Sequence, residues 1–176
     1  NIPYTMGPGI FAEQAKEAGV QGLIVPDLPV EESTEFLKAA KAFDLNIVFL
    51  VAPTTNDERL DKIVKAASGF LYVVNVEGVT GTRENILQST LDLIKRVRDR
   101  TDLPLMAGFG ISKKEHVLAM LSAGADGVIT GSAIAEIYAK NLPSPEKSLT
   151  EIAKFSREMK KACTEGHRKR HSQTQS

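Results

Sequence analysis

The sequence predicts an α/β fold built on parallel strands, and three observations carry that reading. Five short apolar runs, at 22–26, 47–52, 70–76, 105–108 and 127–130, are near-continuous in Val, Ile, Leu and Phe. Strands covered on both faces read that way, whereas strands with one wet face alternate. Amphipathic stretches at 31–42, 57–67, 84–100 and 113–122 fall between the runs, and two more lie at 9–18 and 145–163. Finally, Ala18-Gly19-Val20, Ala67-Ser68-Gly69 and Ala123-Gly124-Ala125 each place a glycine after a helix and before a strand. A left-handed cap is needed at such a joint. Repeated βα units close into a barrel or lie in a doubly wound sheet.

Taken in order, the helix over 9–18 stops at Gly19, and the strand over 22–26 ends in Pro26-Asp27-Leu28-Pro29. Asp27 stands where it can cap the helix that starts near Glu31. Asn56 precedes the helix over 57–67 and Ser112 the helix over 113–122, both as N-cap residues. The strand over 70–76 runs into the turn Glu77-Gly78-Val79-Thr80-Gly81-Thr82, and the strand over 105–108 into Gly108-Phe109-Gly110. The last strand passes through Gly131-Ser132 into a short helix.

The 176 residues are 42% hydrophobic and 25% charged, with a formal net charge of zero. One globular domain with a sizeable core fits those values, and nothing in the charge points to nucleic acid or a membrane surface. No apolar run approaches the ~20 residues of a membrane-spanning helix, and the first residues lack a signal-peptide pattern. Cys163 is the only cysteine, which excludes disulfide frameworks and thiolate zinc sites. The expectation is a cytoplasmic protein with a structured unit over 1–163 and a polar, basic, disordered tail over 164–176. His116, in a charged helical stretch, and His167 and His171, in the tail, are expected at the surface, so no metal site is expected.

Chemistry concentrates in the last two βα turns. Glycine lets backbone N–H groups come close to an anion, and a helix N-terminus adds partial positive charge. Gly108-Phe109-Gly110 before one helix and Gly131-Ser132 before the next give two such turns on consecutive final strands. A phosphate site in a (β/α)₈ barrel has that arrangement. A lone glycine-rich turn merely shapes the chain; the ordered pair points to phosphate.

Four segments together carry a family resemblance. Gly108-Phe109-Gly110-Ile111-Ser112, Gly131-Ser132-Ala133-Ile134, Gly78-Val79-Thr80-Gly81 and Val25-Pro26-Asp27-Leu28-Pro29-Val30-Glu31-Glu32 are similar to motifs of the tryptophan synthase alpha chain, in that family's order. Leu71-Tyr72-Val73-Val74 resembles its strand six. The resemblance implies a (β/α)₈ TIM barrel, of which this chain supplies the C-terminal five βα units. It implies retro-aldol cleavage of indole-3-glycerol phosphate to indole and glyceraldehyde 3-phosphate, in tryptophan biosynthesis. Gly81, Gly108, Gly110, Gly131 and Ser132 would hold the substrate phosphate, and Ile24, Pro26, Leu50 and Phe109 would wall the indole pocket. Tyr72 would position catalytic carboxylates, and Thr80 would sit on a loop closing over substrate. Asn75 departs from the serine usual in the family. Asn1, Asp27 and Pro29 would face a beta chain in a heterotetramer; pyridoxal phosphate belongs to that partner, and no cofactor is implied for this chain.

Plainer roles stay open beside these: Tyr72 as a core aromatic, Thr80 as a turn hydroxyl, Asp27 as a cap. The family's two catalytic carboxylates lie on and after its second strand, and no carboxylate here maps onto either. The chain also begins at Asn1, in the middle of the motif after the family's third strand, which leads us to expect a truncated sequence that is inactive alone. Two other functions share the phosphate turns: a non-catalytic activator of the beta chain, and a different phosphate-binding barrel enzyme.

Overall fold

The computed structural model describes residues 2–74, 83–108, 110–142 and 144–173. Helices α1 (Ile2–Met6) and α2 (Pro8–Glu17) precede strand β1 (Gly22–Ile24). A 3₁₀ turn at Val30–Glu32 leads into α3 (Thr34–Ala42), followed by β2 (Asn46–Val48), β3 (Leu50–Val51) and α4 (Asp57–Ala66). Then come β4 (Leu71–Val74), α5 (Arg83–Arg98), β5 (Leu105–Gly108) and α6 (Lys114–Ala123). The end of the chain is β6 (Gly127–Ile129), α7 (Ser132–Ala139) and α8 (Glu146–Gln173).

Every strand pairing is parallel. β1 pairs with β2, Ile24 opposite Val48. β3 pairs with β4, Leu50 opposite Tyr72, β4 with β5, Tyr72 opposite Met106, and β5 with β6, Gly108 opposite Ile129. β2 and β3 are one stretch of chain interrupted at Phe49, whose carbonyl accepts the N–H of Tyr72 at 3.0 Å. The result is five strand positions in sequence order, as the apolar runs predict, although 47–52 was expected as one strand.

Strand side chains alternate between two faces. Leu71, Val73, Leu105 and Ala107 are at most 1% exposed and share a core with Phe36, Leu60, Ile94, Val97, Val117 and Leu121 from the helices. Their neighbours Tyr72, Val74 and Met106, on the opposite face, are only half-buried. One core on one face means that the helices cover that side of the strands. The other face is left for the site.

The joints behave largely as their residues predict. Gly19, Gly69 and Gly124 all take positive φ, at 83°, 77° and 119°. Asn56 caps α4, its side chain accepting the Arg59 N–H at 2.9 Å. Residues 2–6 form α1, ahead of the helix expected over 9–18. Three readings need correction. Asp27 caps nothing: Pro29 precedes the 3₁₀ turn, and α3 begins only at Thr34. Lys113, not Ser112, stands at the N-cap of α6, without a side-chain bond. The tail over 164–176 is not disordered in its first part, because α8 continues to Gln173. His167 accordingly leaves the open surface: it is half-buried, its Nε2 2.6 Å from the Asp126 carbonyl. Arg170, in the same basic run, also finds its partners at the α6–β6 joint.

Candidate functional site

The turns that follow β1 and β3 enclose a cavity of about 360 Å³, walled by Pro26, Leu50 and Val74 among others. A volume in that range suits a small organic ligand. Its rim is fixed from several directions. Leu28 N–H bonds to the Val25 carbonyl at 3.1 Å, closing the first turn. In the second, Thr55 Oγ1 accepts the Ala52 N–H at 3.0 Å and Thr55 N–H returns to the Ala52 carbonyl at 2.8 Å. Arg96 donates to the Thr55 carbonyl at 2.6 Å. Arg59, which lines the cavity, pairs with Glu31 at 3.3 Å and so ties the start of α4 to the 3₁₀ turn. A mouth held this way is preorganised rather than moulded by its ligand.

Of the four residues expected to wall an indole pocket, Pro26 and Leu50 line the cavity. Ile24 does not; it sits on β1, 45% exposed. Phe109 lies outside the described residues, as do Asn1, Asn75, Thr80 and Gly81. Sequence reasoning missed Val74 and Thr55 as lining residues. Val74 was within reach, since it shares a face with Tyr72 by the two-residue strand period. Asp27 is exposed and belongs to the same lining, and Pro29 stands beside it, half-buried.

The turns expected to hold phosphate lie at the same end of adjacent strands. Gly108 and Ile129 are register partners, and Gly110 and Gly131 each follow two residues later. Gly131 is the N-cap of α7, its carbonyl accepting the N–H groups of Ile134 and Ala135, both at 3.0 Å. Helix geometry leaves the N–H groups of the first turn, at Ser132 and Ala133, without an intrahelical acceptor, pointing outward where the helix dipole favours an anion. Gly131 and Ser132 are exposed.

The three described glycines differ in what requires them. Gly110 has φ of 66°, a conformation that other residues rarely adopt. At Gly108 the requirement is packing: a Cβ there would stand 2.4 Å from Tyr72 Cε2 and 2.7 Å from its hydroxyl oxygen. At Gly131 packing makes no such demand: its φ is negative, at −122°, and a Cβ would meet nothing within 4 Å. That open space leaves the turn accessible to a ligand.

Tyr72 thus bridges the two ends of the site. Its strand neighbour on one side is Leu50, in the cavity wall, and on the other its ring lies over Gly108, at the root of the phosphate turn. We expect Gly108→Ala to force that ring aside at a cost of about 1–3 kcal/mol, the usual range for overpacking. Tyr72→Ala in the same chain gives the methyl room, so the double variant should lose less stability than the two single losses added. Urea denaturation of the four chains measures the coupling; simple additivity would show that the ring and the glycine are independent.

Among the described residues, no group of three His, Cys, Asp or Glu side chains is placed to hold a metal ion. The Cys163 thiol is pushed up by burial, with Lys160 acting weakly the other way.

The sequence and the fold both match known proteins. A model of the family "Tryptophan synthase alpha chain" matches residues 1–164. The tryptophan synthase alpha chain of Methanothermobacter thermautotrophicus is 46% identical over 166 residues, covering 94% of this chain and 62% of the relative. That of Methanoregula boonei is 48% identical over 163 residues, covering 93% and 62%. A solved tryptophan synthase a2b2 complex from Pyrococcus furiosus superposes with a TM-score of 0.77 at 38% identity, over 86% of this chain and 62% of that one. A mutant alpha-subunit from the same organism gives 0.79 at 38% identity, over 90% and 62%. The chain therefore spans somewhat under two thirds of the length of these relatives, and its parallel strands form an arc of their barrel.

Proposed function

The chain belongs to the tryptophan synthase alpha chain family, and from that premise we propose that it supplies the phosphate-gripping part of a carbon–carbon lyase acting on indole-3-glycerol phosphate. The observation that carries this reading is Gly131, bare at the mouth of α7 with open space where a side chain would stand. A cavity lined by Pro26, Leu50 and Val74, its exposed wall more polar than apolar, lies at the turns that follow β1 and β3.

In the proposed reaction the bond between the indole ring and the glycerol chain breaks. A base takes the proton of the adjacent glycerol hydroxyl, whose oxygen becomes the aldehyde carbonyl, and the electron pair of the broken bond goes to the indole carbon. An acid protonates that carbon. The products are indole and glyceraldehyde 3-phosphate. In this chain, Gly108, Gly110, Gly131 and Ser132 would hold the phosphate, joined by Gly81; Pro26 and Leu50 would hold the ring, joined by Phe109 and Ile24. Tyr72 would orient the acid and base between the two ends, and Thr80 would belong to a closing loop.

Calorimetric titration tests the reading. The chain should bind glycerol 3-phosphate through the phosphate turns, and indole-3-glycerol phosphate more tightly through the added ring. A gain of tenfold or more corresponds to ~1.4 kcal/mol, a modest share of what burying an aromatic ring supplies. Equal affinities would remove the indole pocket from the proposal, and absence of binding to either would remove the phosphate site.

We also propose a cytoplasmic beta-chain partner that uses pyridoxal phosphate. The support is a surface at the start of the chain and the turn after β1: Ile2 and Tyr4 are 69% and 84% exposed, and Asp27 and Pro29 lie in the turn. Apolar groups free of lysine are typical of interface centres. Pro29→Asp should weaken activation of a cognate beta chain severalfold while leaving the alpha chain's melting temperature nearly unchanged. Identical activation curves for variant and parent would count against this docking surface. Among the described residues no helix is long and apolar enough to cross a membrane.

A further inference from the structure

The family match ends at residue 164, yet α8 runs on to Gln173, and its last turns bond to the joint that precedes β6. Gly166 lets α8 approach α6: a Cβ there would stand 2.8 Å from Leu121 Cδ2 and 2.9 Å from its Cβ. A glycine inside a helix costs roughly 1 kcal/mol against alanine, and here it admits contact at the level of backbone. At the next residue, His167 Nε2 lies 2.6 Å from the carbonyl of Asp126. A carbonyl only accepts, so this nitrogen carries the hydrogen. Arg170 donates to the Ala125 carbonyl at 2.9 Å and to Asp126 Oδ1 at 2.8 Å.

Asp126 is a knot between four elements. Its other oxygen accepts the Leu105 N–H at 2.9 Å, at the start of β5, and also pairs with Arg98 from the end of α5. Arg98 in turn donates to the carbonyls of Gly124, Thr101 and Leu103 at 3.3, 3.0 and 3.2 Å. Burial works against the charged form of this carboxyl. The bonds from Arg170 and Leu105 N–H and the charges of Arg98 and Arg170 outweigh it and hold the group below the usual aspartate range. The knot is therefore made with an ionised carboxylate at neutral pH.

Asp126 immediately precedes β6, a strand of three residues that pairs, among the described strands, only with β5. Five residues beyond it stands Gly131. We propose that residues 166–170 of α8 are a latch that fixes β6 from its N-terminal end and so positions Gly131 and Ser132 at its C-terminal end. The latch makes His167 and Arg170 positioning residues rather than parts of a tail. The functional half of this inference rests on the reading of Gly131–Ser132 as a phosphate site; the mechanical half does not. A site held by a short strand needs that strand anchored, because small displacements of a supporting element loosen the groups it carries.

The test uses the full chain with Arg170→Met, with Arg170→Lys as a milder variant. Lys169→Met serves as a control that removes a cation from the same turn, one that pairs with Glu165 instead. Hydrogen exchange without ligand should quicken tenfold or more at the Val128 and Ile129 amides in Arg170→Met, by less in Arg170→Lys, and not at all in Lys169→Met. Amides of β4 should keep the parent's rates, since local opening is distinct from global unfolding. Affinity for glycerol 3-phosphate should fall at least threefold in step. Unchanged exchange, exchange that rises equally in every strand, or faster exchange at β6 with parental affinity would each overturn the latch. If Arg170→Met does not fold, Arg170→Lys decides by the same criteria. A parent chain that binds no glycerol 3-phosphate would instead sink the phosphate reading, and the exchange pattern would still judge the anchoring of β6.

Discussion

Gly131→Asp will abolish glycerol 3-phosphate binding while the chain keeps its fold. The structure separates these two outcomes with unusual clarity, because no packing contact uses the bareness of Gly131. Its φ is negative, outside the left-handed region that only glycine readily adopts, and the space where a Cβ would stand is open to 4 Å. Surface changes of that kind are usually within ~0.5 kcal/mol of neutral, so melting should be close to parental. For a bound phosphate the same change is severe. The aspartate side chain fills the approach to the first turn of α7, and its charge opposes the ligand's. Juxtaposing like charges costs several kcal/mol, which corresponds to roughly a hundredfold loss of affinity or more. Gly131→Ala adds bulk without charge and should fall between parent and aspartate variant. Calorimetry on the three chains decides; an aspartate variant that binds as the parent does would place the phosphate elsewhere.

The glycines also show how much was legible before the fold was seen. The βα alternation, the order of the strands and the side of the turns were all readable, since they follow from apolar runs, caps and chain direction. The pairing of Gly108 with the Tyr72 ring was not. Sequence marks both residues, but only the register that sets Tyr72 beside Met106, and Val74 beside Gly108, brings ring and glycine together. Likewise the basic run from His167 looked like a solvated tail, because charge density on a short segment says nothing about where its partners are. Asp126 is the partner, more than 40 residues away along the chain. Ile24, expected by resemblance to wall an indole pocket, is 45% exposed on β1 and outside the cavity lining. What local patterns miss is contact between distant segments.

The 176 residues on their own should release no indole from indole-3-glycerol phosphate, and this is the largest effect expected. The chemistry asks for a paired acid and base, each worth ~10²–10⁴ in rate. Among the described residues lining the cavity, Asp27 and no other carboxylate is present, and it lies in an exposed turn rather than facing Tyr72 across the sheet. The family's two catalytic carboxylates have no counterpart that the resemblance can map onto this chain. Tyr72, packed over Gly108, can orient such groups, but a phenol does not stand in for a carboxylate pair. The sheet adds a second obstacle. β1 pairs only with β2 among the described strands, and Gly22 and Ile24 on it are exposed, so the strand's other edge offers unpaired backbone groups. A polypeptide with such an edge should self-associate or melt at low temperature, which analytical ultracentrifugation and calorimetry can detect. Joining the first three βα units of a family member ahead of Asn1 should close the barrel, raise the melting temperature and restore indole release. The same joined chain with the strand-two catalytic carboxylate replaced by its amide should fold as well and stay inactive. Indole release by residues 1–176 alone, at a rate near that of the joined chain, would show that the acid and base reside in this part of the barrel after all.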